Sequence, residues 1–337
     1  MIERTWQARL SRLMQSEFVG PLGALLAISA FIALTTPNFL ELQNFRNISL
    51  QVAVLSIVAI GSTIVILAGG IDLSPGSMIA VLSMSLAVLV KLNGVNLWLA
   101  IGLTLLAGAA LGAFNGFLVA YLRIPAFIVT LATLSGFKGL ALTIGPGAPV
   151  FQLSEDLRQV FYGTLFGVPL PFVYVVLLYA GAVVLLEHMK LGREIYAIGG
   201  NEAAAKLSGI KVPLIRFLTF VIAGAMAAIG AILLAARLNS GSPNYGDGVE
   251  LQAIAAAVVG GASLYGGRGR IVNTLFGALI IIVVQNGLNL NAVSTSMQSL
   301  TIGAIIVIAV GLDVWGRTIK QWLSQSGRAS AASRSTA

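Results

Sequence analysis

Long apolar blocks separated by short polar joins run along the whole chain. Ten of the blocks approach the roughly 20 mainly apolar residues that a membrane-spanning helix needs. They lie near 19–36, 49–68, 74–91, 97–121, 125–143, 168–187, 213–236, 249–264, 271–290 and 298–316. The second and third blocks are parted only by "GGIDLSPG" (69–76) and the eighth and ninth only by "GGASLYGGRGR" (260–270), which overlaps the end of the eighth. The pattern predicts an all-α integral membrane protein of about ten transmembrane helices. Residues 1–18 form a leading segment, 19–316 the transmembrane domain, and 317–337 a basic, disordered tail. One join is out of character: "GGNEAAAKLSGIKVP" (199–213) sets Glu202, Lys206 and Lys211 among alanines and glycines.

Composition sharpens the class. The chain is 57% hydrophobic and 9% charged, with a mean hydropathy of +0.94, where soluble domains carry about 25% charged residues. The formal net charge of +8 does not imply nucleic acid, because the bases sit between apolar blocks and do not gather on one stripe. With no cysteine and the single His188, disulfides and Cys/His metal sites are excluded. The run from Phe18 to Leu34 behind Arg4, Arg9 and Arg12 superficially resembles a signal peptide. It exceeds the ~7–15 apolar residues of such a signal, and Pro37-Asn38 is a poor cleavage site, so it reads as a retained first helix.

Charge then orients the helices. With ten spans both termini share a side, which holds Arg4, Arg9, Arg12, Arg123, Lys190, Arg193, Lys206, Lys211, Arg216, Arg268, Arg270, Arg317, Lys320, Arg328 and Arg334. The other side holds Arg46, Lys91, Arg158 and Arg237. Short loops rich in Lys and Arg stay in the cytoplasm, so both termini and the 199–213 join are expected there. Lys138, near the outer end of the fifth block, is expected to snorkel to the interface in preference to lining a route.

Lipid supplies no hydrophobic drive between helices, so small residues must allow close packing. Gly108, Gly112 and Gly116 form one such ridge; Ala223, Ala227 and Ala231, beside Gly224 and Gly230, form another. The two tight joins resemble each other, with Gly69 and Gly70 before Asp72 in one, and Gly260, Gly261, Gly266 and Gly267 in the other. They read as a degenerate repeat or as two helix-breaking, gating re-entries on the cytoplasmic side. Asp72 beside Ser74 and Pro75 is expected to cap the third helix, with gating as the alternative.

Several chemistries have no signature here. There is no G-x-x-x-x-G-K-[ST] loop for nucleotide hydrolysis and no H-E-x-x-H zinc motif. No carboxylate falls in the middle of a predicted span, where ion-coupled carriers keep ionisable groups. Catalytic and metal sites are therefore not expected. The polar residues within or at the ends of spans are neutral: Asn115, Gln285, Asn286 and Asn289, with Thr130 and Thr133. They suit a route for an uncharged polyhydroxylated solute, against the alternative of interhelical hydrogen bonds.

The 199–213 join reads as a short helix. Asn201 is a good N-cap, Glu202 sits in the favoured first turn, and Glu202 with Lys206 makes an i,i+4 pair. Gly209 can close it in the left-handed conformation before Pro213. The helix Glu202-Ala203-Ala204-Ala205-Lys206-Leu207-Ser208 is slim enough for a partner groove to grip, in preference to lying as a solvated loop.

"LGREIYAIGGNEAAAKLSGIKV" (191–212) resembles the cytoplasmic loop of ribose/xylose/arabinose-type permeases of bacterial ATP-binding-cassette importers. The similarity extends to "AGGIDLSPGSM" (68–78), "RIPAFIVTLATLSGFKGLALT" (123–143), "GGASLYGGRGRIVNTLFGALI" (260–280) and "NGLNL" (286–290), in order over about residues 40–315. Lys138 departs from an expected arginine, and Ala262 and Tyr265 vary within the second glycine-rich motif. The resemblance implies a type II-like permease bundle in the bacterial inner membrane. It implies a pathway between two permease copies or close paralogues, and a periplasmic sugar-binding protein that delivers the solute. A separate cytoplasmic ATPase would bind ATP and Mg, leaving no cofactor in this chain. Residues 201–209 would be the coupling helix that docks into that ATPase. A self-contained secondary transporter of a neutral polar solute is the alternative from the residues themselves.

Overall fold

The computed structural model describes residues 18–145 and 147–311, so the predicted tail and all but the last residue of the leading segment lie outside the described residues. Each predicted apolar block overlaps one apolar helix: α1 (Val19–Thr35), α2 (Leu42–Leu67), α3 (Pro75–Ala87, with a π-helical extension Val88–Leu92), α4 (Leu97–Ala120) and α5 (Ala126–Thr143) come first. After the strand β1 (Val150–Phe151), the helix α6 (Glu155–Tyr162) and the strands β2 (Thr164–Leu165) and β3 (Val168–Pro169) comes α7 (Leu170–Val183), extended by a π turn to His188. Then follow α8 (Lys190–Gly200), α9 (Glu202–Leu207), α10 (Val212–Leu238), β4 (Ser240–Gly241), α11 (Val249–Val259), α12 (Ile271–Leu290) and α13 (Thr295–Gly311).

Among the described residues, seven helices (α2, α3, α4, α5, α7, α10 and α12, with their extensions) are long and apolar enough to cross a membrane. The helices α1, α11 and α13 are apolar but shorter. The eighth block, expected to run as one helix over 249–264, stops at Val259. Gly261 turns into the left-handed region (φ 91°), and the Ala262 N–H returns to the Ala257 carbonyl at 2.9 Å. Two amphipathic helices, α6 and α8, have no counterpart among the predicted blocks.

The bundle is organised around α2, buried over most of its length, with α10 against it and α4 on the far side of α10. Both expected small-residue ridges are at these contacts. A Cβ on Gly112 would overlap the Phe220 carbonyl, and one on Gly224 the Gly108 carbonyl, so α4 and α10 meet backbone to backbone. On its other face α10 sets Ala223 against Gly61 of α2. Polar pairs bridge α2 and α12: the Thr63 and Thr274 hydroxyls lie 3.0 Å apart, and the side-chain amides of Asn44 and Asn286 bond each other reciprocally at 2.9 and 2.8 Å. Outward faces of α1, α4 and α13 carry exposed Leu34, Leu106 and Val307, the pattern of surfaces solvated by lipid.

The joins segregate by end. At one end the α2–α3 join, the α8–α9 corner and the α11–α12 join touch one another. At the other, β1 pairs antiparallel with β4 (Val150 opposite Gly241), and Asn239 Oδ1 accepts the Leu153 N–H at 3.0 Å.

Candidate functional site

The 199–213 join builds the projecting element at the first of these ends. Asn201 is extended (φ −162°, ψ 102°), and its Oδ1 accepts the Ala204 N–H at 3.0 Å, closing the open donor of a helix start. At the other end Gly209 is left-handed (φ 81°); its N–H reaches the Lys206 carbonyl at 3.0 Å, and that of Ile210 the Ala205 carbonyl at 3.1 Å. The expected capping of Glu202–Leu207 is therefore present, and Ser208 is the C-cap residue.

Two anchors hold this short helix. Ala205 is buried in an apolar cluster with Leu67, Ile195, Ile198, Val212 and Ile215. Glu202 Oε2 accepts from the Arg216 guanidinium at 2.8 Å, with the Lys206 ammonium 3.7 Å from the other oxygen. The Arg216 hydrogen bond is the main reason the Glu202 carboxyl lies below its ordinary range; burial, next in size, opposes it, and the positive charges of Arg216 and Lys206 add smaller lowering effects. Ala203, Ala204 and Ser208 remain exposed, and Leu207 is 91% exposed. A nearly bare leucine on a capped helix is an apolar knob.

The residue before the corner, Gly199, was not singled out by the sequence reading, although the Gly199–Gly200 pair was its visible signal. It occupies the point where both glycine-rich joins cross. A Cβ on Gly199 would overlap the Leu67 carbonyl, and one on Gly266 would stand 2.9 Å from the Cα of both Gly199 and Gly69. The Gly267 N–H donates to the Leu67 carbonyl at 2.9 Å, and the Tyr196 hydroxyl to the Gly269 carbonyl at 2.8 Å. Gly69 and Gly70 lie within the α2–α3 join, and Gly260 and Gly261 end α11. The structure thus brings the two similar joins together and adds the α8–α9 corner as a third member.

Asp72 caps differently from the expectation. Its Oδ1 accepts from the N–H and the hydroxyl of Ser74, at 2.8 and 2.6 Å, so it closes a turn before α3 and makes no bond to an N–H within the helix. Asn115, fully buried, donates to the Ser74 hydroxyl at 2.9 Å, and the Thr130 hydroxyl donates to the Ile71 carbonyl at 3.2 Å. The run 70–74 is fastened from α4 and α5. A cleft of about 510 Å³ opens beside it, lined by Gly69, Ile71, Arg123, Phe127, Glu202 and Arg216 among others.

The remaining polar candidates are dispersed. Asn286 is buried in its pair with Asn44; Asn289 is exposed and accepts from the Gln298 amide at 2.8 Å; Gln285 is half-buried. Lys138 is paired: its ammonium lies 2.7 and 3.0 Å from the two carboxylate oxygens of Asp247.

Comparison with known proteins adds the following. The family described as branched-chain amino acid transport system / permease component matches residues 44–310. The chain is 43% identical over 294 residues to the ribose import permease protein RbsC of Escherichia coli K12, covering 86% of this chain and 91% of that protein. It is 38% identical over 287 residues to the D-allose transport system permease protein AlsC of the same organism (85% and 88% covered). It is 34% identical over 354 residues to the xylose transport system permease protein XylH (87% and 90% covered). No solved structure matches it.

Proposed function

This chain belongs to the branched-chain amino acid transport system / permease component family, and on that premise we propose that it is the membrane-spanning subunit of an ATP-binding-cassette importer for a sugar. The three similar permeases are named for ribose, allose and xylose, which favours a monosaccharide as solute. The bias of Lys and Arg supports a cytoplasmic α8–α9 end and a periplasmic β1–β4 end in a bacterial inner membrane. Two copies of this chain, or one copy and a close paralogue, enclose the route. A binding protein delivers sugar to the periplasmic end, and a cytoplasmic ATPase that binds ATP and Mg supplies the work.

The observation that carries the reading is the wiring of α9. Ala203, Ala204 and Leu207 form a docking ridge for the ATPase, while Ala205 and the Glu202–Arg216 pair tie that ridge to α8 and α10. Displacement of α9 acts through Gly199 on the Leu67 carbonyl and on Gly266–Gly267. Those are the ends of α2 and of the α11–α12 join, so closure of the ATPase moves the cytoplasmic mouth of the route. Packed backbones transmit such a push with little loss because glycine leaves no compressible side chain between them.

Reconstitution into liposomes separates this from a self-contained carrier. The complete transporter should accumulate sugar only when ATP is hydrolysed. The purified chain alone, under a proton or sodium gradient, should accumulate none; gradient-driven uptake by the chain alone would overturn the reading.

A further inference from the structure

A second polar cluster lies on an open face of the bundle, away from the ATPase-facing end. Lys138 of α5 pairs with Asp247, and its ammonium also lies 3.4 Å from the Asn244 amide oxygen. Lys138 and Asp247 share with Ser77, Leu134 and Glu250 a cavity of about 280 Å³. Leu134 stands near the middle of the 18-residue α5, about 12 Å from its cytoplasmic end at 1.5 Å per residue, and Lys138 is one turn further on.

The backbone explains how charges come to this depth. The irregular run 70–74 enters from the cytoplasmic end before α3 begins, and the run 242–248 enters from the opposite end before α11 begins. They meet where a Cβ on Gly76 would overlap both the Gly246 carbonyl and the Glu250 carboxylate. Two broken helices therefore start against each other within the bundle, and Glu250, in the first turn of α11, is carried inward with them. Irregular backbone at membrane depth persists where protein covers it or where it lines a wet cavity. Here the Asp247 and Lys138 side chains are 63% and 30% exposed, so this face is not covered within the chain. Ionised groups at such depth do not face lipid tails.

We propose that Ser77, Lys138, Asp247 and Glu250 form a station for a neutral polyhydroxylated solute on the route between the two copies. This rests on the importer reading and assigns the solute-contacting residues that reading leaves open. The carboxylates of Asp247 and Glu250 accept from sugar hydroxyls, the Lys138 ammonium donates, the Ser77 hydroxyl, which itself donates to the Ser74 carbonyl at 2.9 Å, accepts, and Leu134 meets the apolar face of the ring. The Lys138–Asp247 pair neutralises itself when the station is empty, so a neutral solute exchanges with water at little electrostatic cost.

The test uses the complete transporter in proteoliposomes with D-ribose, D-allose and D-xylose as probes. Glu250→Gln and Asp247→Asn should each lower ATP-driven uptake about tenfold, as a charged acceptor gives way to a neutral one, while the ATPase still co-purifies. In this cysteine-free chain, Ser77→Cys should react with a membrane-impermeant methanethiosulfonate, more slowly when a transported sugar is present, whereas Leu106→Cys on the outer face of α4 should not react. Wild-type uptake by both carboxylate variants overturns the station. So does a Ser77→Cys as inert as Leu106→Cys, or one that reacts at a rate none of the three sugars changes. A wild-type complex that shows no ATP-driven uptake counts against the importer reading instead, and the thiol reaction with and without sugar still decides the station.

Discussion

Glu202 shows how a single side chain can be both surface and joint. Its bond to Arg216 ties α9 to α10, and the lowered carboxyl pKa gives the sign of its pH dependence. A group depressed in the folded state contributes its stabilisation above its ordinary value of 4.5, and loses it as pH falls through the lowered value. Because the side chain is 42% exposed, solvent screens the pair and the effect is small. Melting of the purified protein against pH should therefore show a slight acid-side loss that Glu202→Gln removes; an unchanged acid limb in that variant would mean the pair carries no stability. Gly199 is less tolerant. A Cβ there meets the Leu67 carbonyl, a backbone atom that cannot swing aside. Gly199→Ala should cost about 1–3 kcal/mol in thermal stability by overpacking and lower uptake in the population that still inserts. The sequence displays the polar cap, acid and αL glycine of α9 plainly, because each is a local requirement of a helix end. It displays the Gly199–Gly200 pair without its reason, since the need for hydrogen in place of a methyl at Gly199 arises only when two remote joins cross it.

Among elements, apolar runs of twenty residues were legible because no other fold tolerates them, and α2, α4, α5 and α12 fall within a few residues of their predicted blocks apart from the earlier start of α2 at Leu42. The amphipathic α8 escaped because half its residues face water: Gly192, Ile195 and Ile198 are buried on one side only. The broken start of α11 escaped for a different reason. "SPNYGDGVEL" reads as an ordinary outer loop leading into a helix, and only the packing of Gly246 on Gly76 shows that the loop has entered the bundle. Asn286, a candidate for the route, makes its observed bonds with Asn44 of α2. A double-mutant cycle of Asn44→Ala and Asn286→Ala should give a coupling of about 0.6 kcal/mol in stability, the usual worth of an interhelical polar pair in membrane. Additive losses would release Asn286 for a role in the route.

At the scale of the whole molecule, the chain divides its functions between two ends and a middle. The end that carries α9 gathers the capped helix and three glycine-rich corners into one mechanical unit. The middle holds the charged cluster on a face left open in the single chain. The opposite end is clasped by the β1–β4 pair. Ala204 tests the first of these most directly, since it is exposed on the proposed docking ridge and its backbone N–H bond to Asn201 survives substitution. The decisive measurement is ATP-driven sugar uptake by proteoliposomes carrying the complete transporter with Ala204→Asp. Uptake should be abolished while the chain inserts and folds as the wild type does, because a buried carboxylate at the ATPase groove would lack a partner. Uptake at the wild-type rate would contradict the assignment of α9 as the coupling helix.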